Sequence, residues 1–196
     1  MSALADCLRA LADRLREFRV AREAVAAVEF ALILPVMLTM YVGSIELSQA
    51  FSMDQRVITI AGTTGDLVAR TNGAIDTTTL NNYFQAAQAI MGPYSTTNLQ
   101  QVVSVVAVDS TGNTTVEWSK GYNGGTAQVC NQPYGGAHPI PSVMKNIAGG
   151  NIVVVSEATY IYPPMLGIFF KNNFVFYHQN FYLPRYDKDI PLTGGC

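Results

Sequence analysis

The chain has 196 residues, with 12 Lys and Arg against 14 Asp and Glu and a formal net charge of -2. Near-neutral charge with no basic stripe beyond the N-terminal segment gives no case for nucleic acid. Only 13% of residues are charged and 49% are hydrophobic, so one ordinary domain must be accompanied by a segment that leaves water.

That segment is announced by residues 1–24. Leu4, Leu8, Leu11, Leu15 and Phe18 recur at helical spacing, and Arg9, Arg14, Arg16, Arg19 and Arg22 fill other positions. Such an amphipathic leader can lie on an anionic membrane surface. Asp6, Asp13, Glu17 and Glu23 set it apart from a mitochondrial presequence, which is poor in acids. Residues 25–48 follow as the expected transmembrane helix. Sixteen residues without a charge separate Glu29 from Glu46, and the apolar Val25 to Val28 in front bring the run to the usual ~20 residues. A carboxylate inside such a span costs on the order of 2.5–3.5 kcal/mol on insertion scales, so Glu29 asks for a reason. The arginines ahead of the span place the N-terminus in the cytoplasm by the positive-inside rule. No small-x-small site follows the apolar run, as a secretory signal would require.

The helix is expected to continue beyond the bilayer through Leu47, Ala50, Met53, Val57 and Ala61, with Gly62 as its stop and a kink at Pro35. Residues 49–196 read as an extracytoplasmic domain. A second helix is expected with Thr77 to Thr79 as caps and Gly92-Pro93 as terminator. A hairpin follows, Gln101 to Asp109 and Thr114 to Lys120, with Ser110-Thr111-Gly112-Asn113 as its turn. Tyr122 to Pro141 is a long Gly-rich loop, and Pro141 to Ile147 one or two helical turns. Asn151 to Tyr162 and Phe174 to Leu183 are strands. The fold class is therefore α+β: a long N-terminal transmembrane helix continuing into a globular domain with a second helix and a four-stranded, mostly antiparallel sheet. Most late aromatic residues are expected to fill the core of that sheet.

Cys7 lies in the leader, and Cys130 and Cys196 lie beyond the span. The latter two are expected to form a disulfide in an oxidising compartment, contributing ~4 kcal/mol in the chain-entropy account. The alternative is two free thiols. Catalytic groups are sparse: His138 and His178 fall in unrelated contexts, and Asp187 and Asp189 read as a solvated tail. There is no phosphate-binding loop, nucleophile elbow or zinc spacing. The expectation is no enzyme, no cofactor and no metal. Met165 to Phe170 is a candidate contact patch, with Ile168 and Phe169 at its centre.

The ordered combination of Glu29-Phe30, Pro35, Gly43 and Glu46 within AAVEFALILPVMLTMYVGSIELS resembles the TadE/TadG group of minor pseudopilins of the Tad (tight adherence) pilus, a branch of type IV prepilin-like proteins. The resemblance implies a leader cut by a prepilin peptidase between Ala24 and Val25, with Ala24 standing where the family usually has Gly. It implies that Glu29 becomes the fifth-position acid that registers the helix in an assembly. It also implies a single-pass protein of the bacterial inner membrane, domain in the periplasm or incorporated in a pilus. Its partners would be the peptidase, other Tad pilins and inner-membrane assembly proteins. The alternative is an uncut bitopic protein with a periplasmic scaffold or sensor domain.

Overall fold

The computed structural model describes residues 22–164, 167, 170–186 and 189–195. The chain falls into two compact units, one ending at Leu47 and one beginning at Ser48. The first unit is helical wherever it is described. Its helix, α1, spans Arg22–Ala69 without a break, through Pro35 and on into the second unit.

In the second unit α1 buries one face. Met53, Val57, Ile60, Ala61, Thr64 and Val68 are buried, a spacing of threes and fours that makes a single stripe. The remaining elements follow in order. They are β1 (Ile75–Asp76), α2 (Thr77–Gln88), a 3-10 turn (Ala89–Met91), β2 (Leu99–Val108) and β3 (Thr114–Tyr122). Then come α3 (Ser142–Ile147), β4 (Asn151–Tyr162), β5 (Phe174–Tyr182) and β6 (Leu192–Thr193).

The main sheet has the order β3-β2-β4-β5 and is antiparallel throughout. The α+β architecture read from the sequence is thus the one observed. Strand alternation divides its side chains between two layers. On one face Val103, Val105, Ile152 and Val154 meet Val68, Leu80 and Phe84. Further along, Leu99, Ala158, Tyr160 and Tyr162 meet Met53, Val57, Ile60 and Met91. On the other face Val106, Val116, Val153 and Val155 are covered by Ile140, Ala148 and the partly buried Tyr134 and Met144.

Three local expectations are corrected. Gly62 does not stop α1, which continues to Ala69. Gly62 and Gly65 instead mark where β5 comes close: a Cβ on Gly65 would lie 2.6 Å from the Tyr182 ring and 3.0 Å from the Ser156 Cβ. The missing side chains serve packing here, not chain reversal. The cap of α2 is Asp76, one residue before the threonines: Thr79 N–H donates to its Oδ1 at 2.8 Å, and the Thr79 hydroxyl to its Oδ2 at 2.8 Å. The short parallel pair β1–β6, Ile75 opposite Leu192 and Asp76 opposite Thr193, was not anticipated, because two residues leave no readable periodicity. It returns the C-terminal segment to the start of α2, where Trp118 Nε1–H donates to the Ile190 carbonyl at 2.6 Å. The late aromatics divide: Tyr160 and Tyr162 on β4 are buried, while β5 keeps its own partly exposed because it is an edge strand.

Candidate assembly surface

The feature that stands out chemically is the first part of α1. Every residue from 25 to 41 is exposed, including Phe30 at 64%, Leu32 at 71% and Met40 at 72% of full exposure. A side chain of this kind gains ~1.5–3 kcal/mol when it leaves water. A whole helical turn pattern of them bare cannot be a finished surface. Seventeen residues at ~1.5 Å each cover about 25 Å, and the apolar run continues past Val42, so the hydrocarbon thickness of a membrane is matched. By length and composition α1 can cross a bilayer.

The sequence-predicted positions lie on this helix in two environments. Glu29 and Phe30 are exposed among the apolar side chains, Pro35 sits inside the helix, and Gly43 is half-buried. Glu46 is buried, with 4% exposure. The two carboxylates that bracket the apolar run therefore differ: Glu29 is presented outward and Glu46 is enclosed. Val25 is exposed, whereas the side chain of Ala24, the leader up to residue 21, and Ile168 and Phe169 lie outside the described residues. Cys130 is disulfide-bonded, but Cys7 and Cys196 also lie outside the described residues, so the expected Cys130–Cys196 bridge belongs with the proposals.

Elsewhere, polar groups do structural work. His178 and His138 do not share a site, because β5 sends its residues alternately to opposite faces. His178 Nε2 contacts Asp54 Oδ1 at 2.6 Å on the α1 side. His138 packs its ring against Tyr177 on the other, centroids 5.6 Å apart. On that second face Tyr177 Oη–H donates to Glu157 Oε2 at 2.9 Å, and Tyr134 Oη–H donates to Oε1. Burial, then the Glu157 carboxylate, hold both phenols above their ordinary pKa, so both stay protonated donors.

Two further clusters are acidic or ion-paired. Asp66 receives Arg70 and Arg185, the latter at 2.8 Å, and the Arg70 bond leads in lowering its pKa. A cleft of about 280 Å³ is lined by Asp109, Glu117 and Asp189. Burial and then Asp189 raise the Glu117 carboxyl. Among the described residues no group of three or more His, Cys, Asp or Glu is placed to hold a metal ion.

These features define a class: a chain with one helix long and apolar enough to cross a membrane, running into a small α+β domain. Within that class, residues 24–63 match the family model of the TadE-like protein, so the chain is TadE-like along this helix. The match spans about a fifth of the 196 residues and agrees with the resemblance carried by Glu29-Phe30, Pro35, Gly43 and Glu46. No curated protein and no solved structure matches the chain.

Proposed function

We propose that this chain is a minor pseudopilin of a Tad-type pilus, anchored in the bacterial inner membrane by residues 25–48. The observation that carries the reading is a coincidence of two facts. The TadE-like match at 24–63 covers the very stretch whose apolar side chains have no cover of their own. Lipid covers them before assembly, and neighbouring pilin helices cover them after it. The N-terminus faces the cytoplasm and the α+β domain the periplasm, where Cys130 pairs with Cys196. Prepilin peptidase cuts between Ala24 and Val25, making Glu29 the fifth residue of the mature chain. Its carboxylate then pairs with the freed amine of a neighbouring subunit, which offsets the cost of a charge in lipid.

The role is non-enzymatic: it supports assembly of an adhesive pilus together with other Tad pilins and inner-membrane assembly proteins. Replacing Glu29 by Ala tests the pairing. Breaking a desolvated charge pair costs on the order of 3–5 kcal/mol, so surface pili should fall by about tenfold or more while membrane insertion is unchanged. Normal piliation in E29A would remove Glu29 from the mechanism. It would favour the uncut bitopic scaffold or sensor instead.

A further inference from the structure

The sequence holds two Asn-Gly steps, Asn72-Gly73 and Asn123-Gly124, and both asparagines are exposed. The fold treats them differently. Asn123 sits in the left-handed region with φ 51°. Its side-chain amide donates towards the carbonyls of Thr96, Thr97 and Leu99 at 3.0, 3.2 and 2.7 Å. Those bonds tie the end of β3 to the start of β2, so this side chain has a structural task and a fixed direction.

Asn72 has no such hold. It lies between α1 and β1, and the chain is fastened on either side of it. Thr71 N–H donates to the Val68 carbonyl at 3.0 Å, and Ile75 N–H donates to the Pro191 carbonyl at 2.9 Å. Among the described residues no hydrogen bond restrains the Asn72 side chain or the Gly73 N–H. Gly73 has φ 94°, and a Cβ built there would meet nothing within 4 Å. The space around its nitrogen is open.

We propose that Asn72 is a site of spontaneous succinimide formation, the modification that converts asparagine to isoaspartate and aspartate without an enzyme. The Gly73 nitrogen, after losing its proton to base, attacks the side-chain carbonyl carbon of Asn72. The new C–N bond forms, the bond from that carbon to Nδ2 breaks, and ammonia leaves with the proton. Water then opens the ring at either carbonyl, which leaves isoaspartate or aspartate at position 72. Nothing is oxidised or reduced, and water is the co-reactant. Glycine puts no side chain beside the attacking nitrogen, and an untethered Asn72 can turn its carbon towards it.

Either product places a carboxylate just past the carboxyl end of α1, where the helix dipole disfavours negative charge. Isoaspartate also lengthens the main chain by a methylene ahead of Ile75, so the β1–β6 pair is the contact nearest the change. Every residue involved lies within the unit that begins at Ser48, and the inference is independent of the membrane and pilus reading.

Peptide mapping by mass spectrometry of the full chain, aged at mildly alkaline pH, tests this in two states: folded in lipid nanodiscs, and unfolded in guanidinium at the same pH. The unfolded chain sets the rate that each Asn-Gly step has without the fold. Folding should leave the rate at Asn72 within about threefold of that value and slow Asn123 by about tenfold or more, since its reaction must wait for local opening. Isoaspartate should be the main product at position 72, and Asn72→Gln should remove the signal there while Asn123 is unchanged. Slowing of Asn72 by about tenfold or more on folding would overturn the inference, as would equal rates at the two steps in the folded chain. Aspartate without isoaspartate at position 72 would also overturn it, because direct hydrolysis forms no ring.

Discussion

At Gly65 the helix and the sheet approach until a methyl group no longer fits. Alanine there gains about 1 kcal/mol of helix propensity, but its Cβ would lie 2.6 Å from the Tyr182 ring, and overpacking costs about 1–3 kcal/mol. Gly65→Ala should therefore lower stability in denaturant titration. Gly62→Ala, whose nearest neighbour is the Tyr182 hydroxyl at 3.3 Å, should be near neutral. Equal effects of the two would contradict the packing account. A second single-residue effect concerns pH. Hydrogen bonds from the side chains of Thr111 and Asn113 lead in pulling the Asp109 carboxyl down to about 2, and Asp66 and Asp76 are lowered as well. A carboxylate whose pKa is lower in the folded state stabilises the fold above its unfolded pKa. That contribution is lost as pH falls through the folded value. The melting temperature should hold from neutral pH down to the ordinary carboxylate range, then drop toward pH 2, less steeply in Asp109→Asn. An unchanged slope in that variant would remove Asp109 from the set.

At the scale of elements, α2 depends on one cap. Asp76 satisfies Thr79 N–H and belongs at the same time to the β1–β6 pair. Asp76→Ala should cost about 1 kcal/mol, within the ~0.5–2 kcal/mol usual for such caps, read as a shift in the denaturant midpoint. Stability equal to the native chain would mean the threonines can cap unaided. Elements with a strong local signal were legible in the sequence. The Val-rich β2, the turn at Ser110 to Asn113, and β4 between Gly150 and Pro163 all carry runs and breakers that name the element. What escaped depends on contacts distant along the chain. Nothing near Gly62 tells a helix stop from a close approach, because the answer lies in Tyr182, far along on β5. The segment that lies on β3, where Asn131 N–H donates to the Val116 carbonyl and Val116 N–H to the Gln132 carbonyl, likewise reads as an irregular loop from sequence. The candidate site was legible for the opposite reason: Glu29, Pro35, Gly43 and Glu46 all lie on one helix, in one run. Sequence order is then spatial order. The differing exposure of Glu29 and Glu46 was not legible, since both bracket the same apolar stretch.

For the whole molecule, the account joins a bare apolar helix to a domain that buries its own core. The exposed apolar side chains from Val25 to Tyr41 call for a non-aqueous partner; in the function proposed above that partner is lipid first and other pilin helices later. On that proposal the exchange of one for the other turns on whether Glu29 acquires an amine to meet it, and hence on cleavage before Val25. The most direct measurement is the intact mass and N-terminal residue of the membrane-extracted protein, with and without the prepilin peptidase. The account predicts Val25 at the N-terminus when the peptidase is present and the full leader when it is absent. A full leader in both would contradict processing, and with it the pairing of Glu29 to a freed amine.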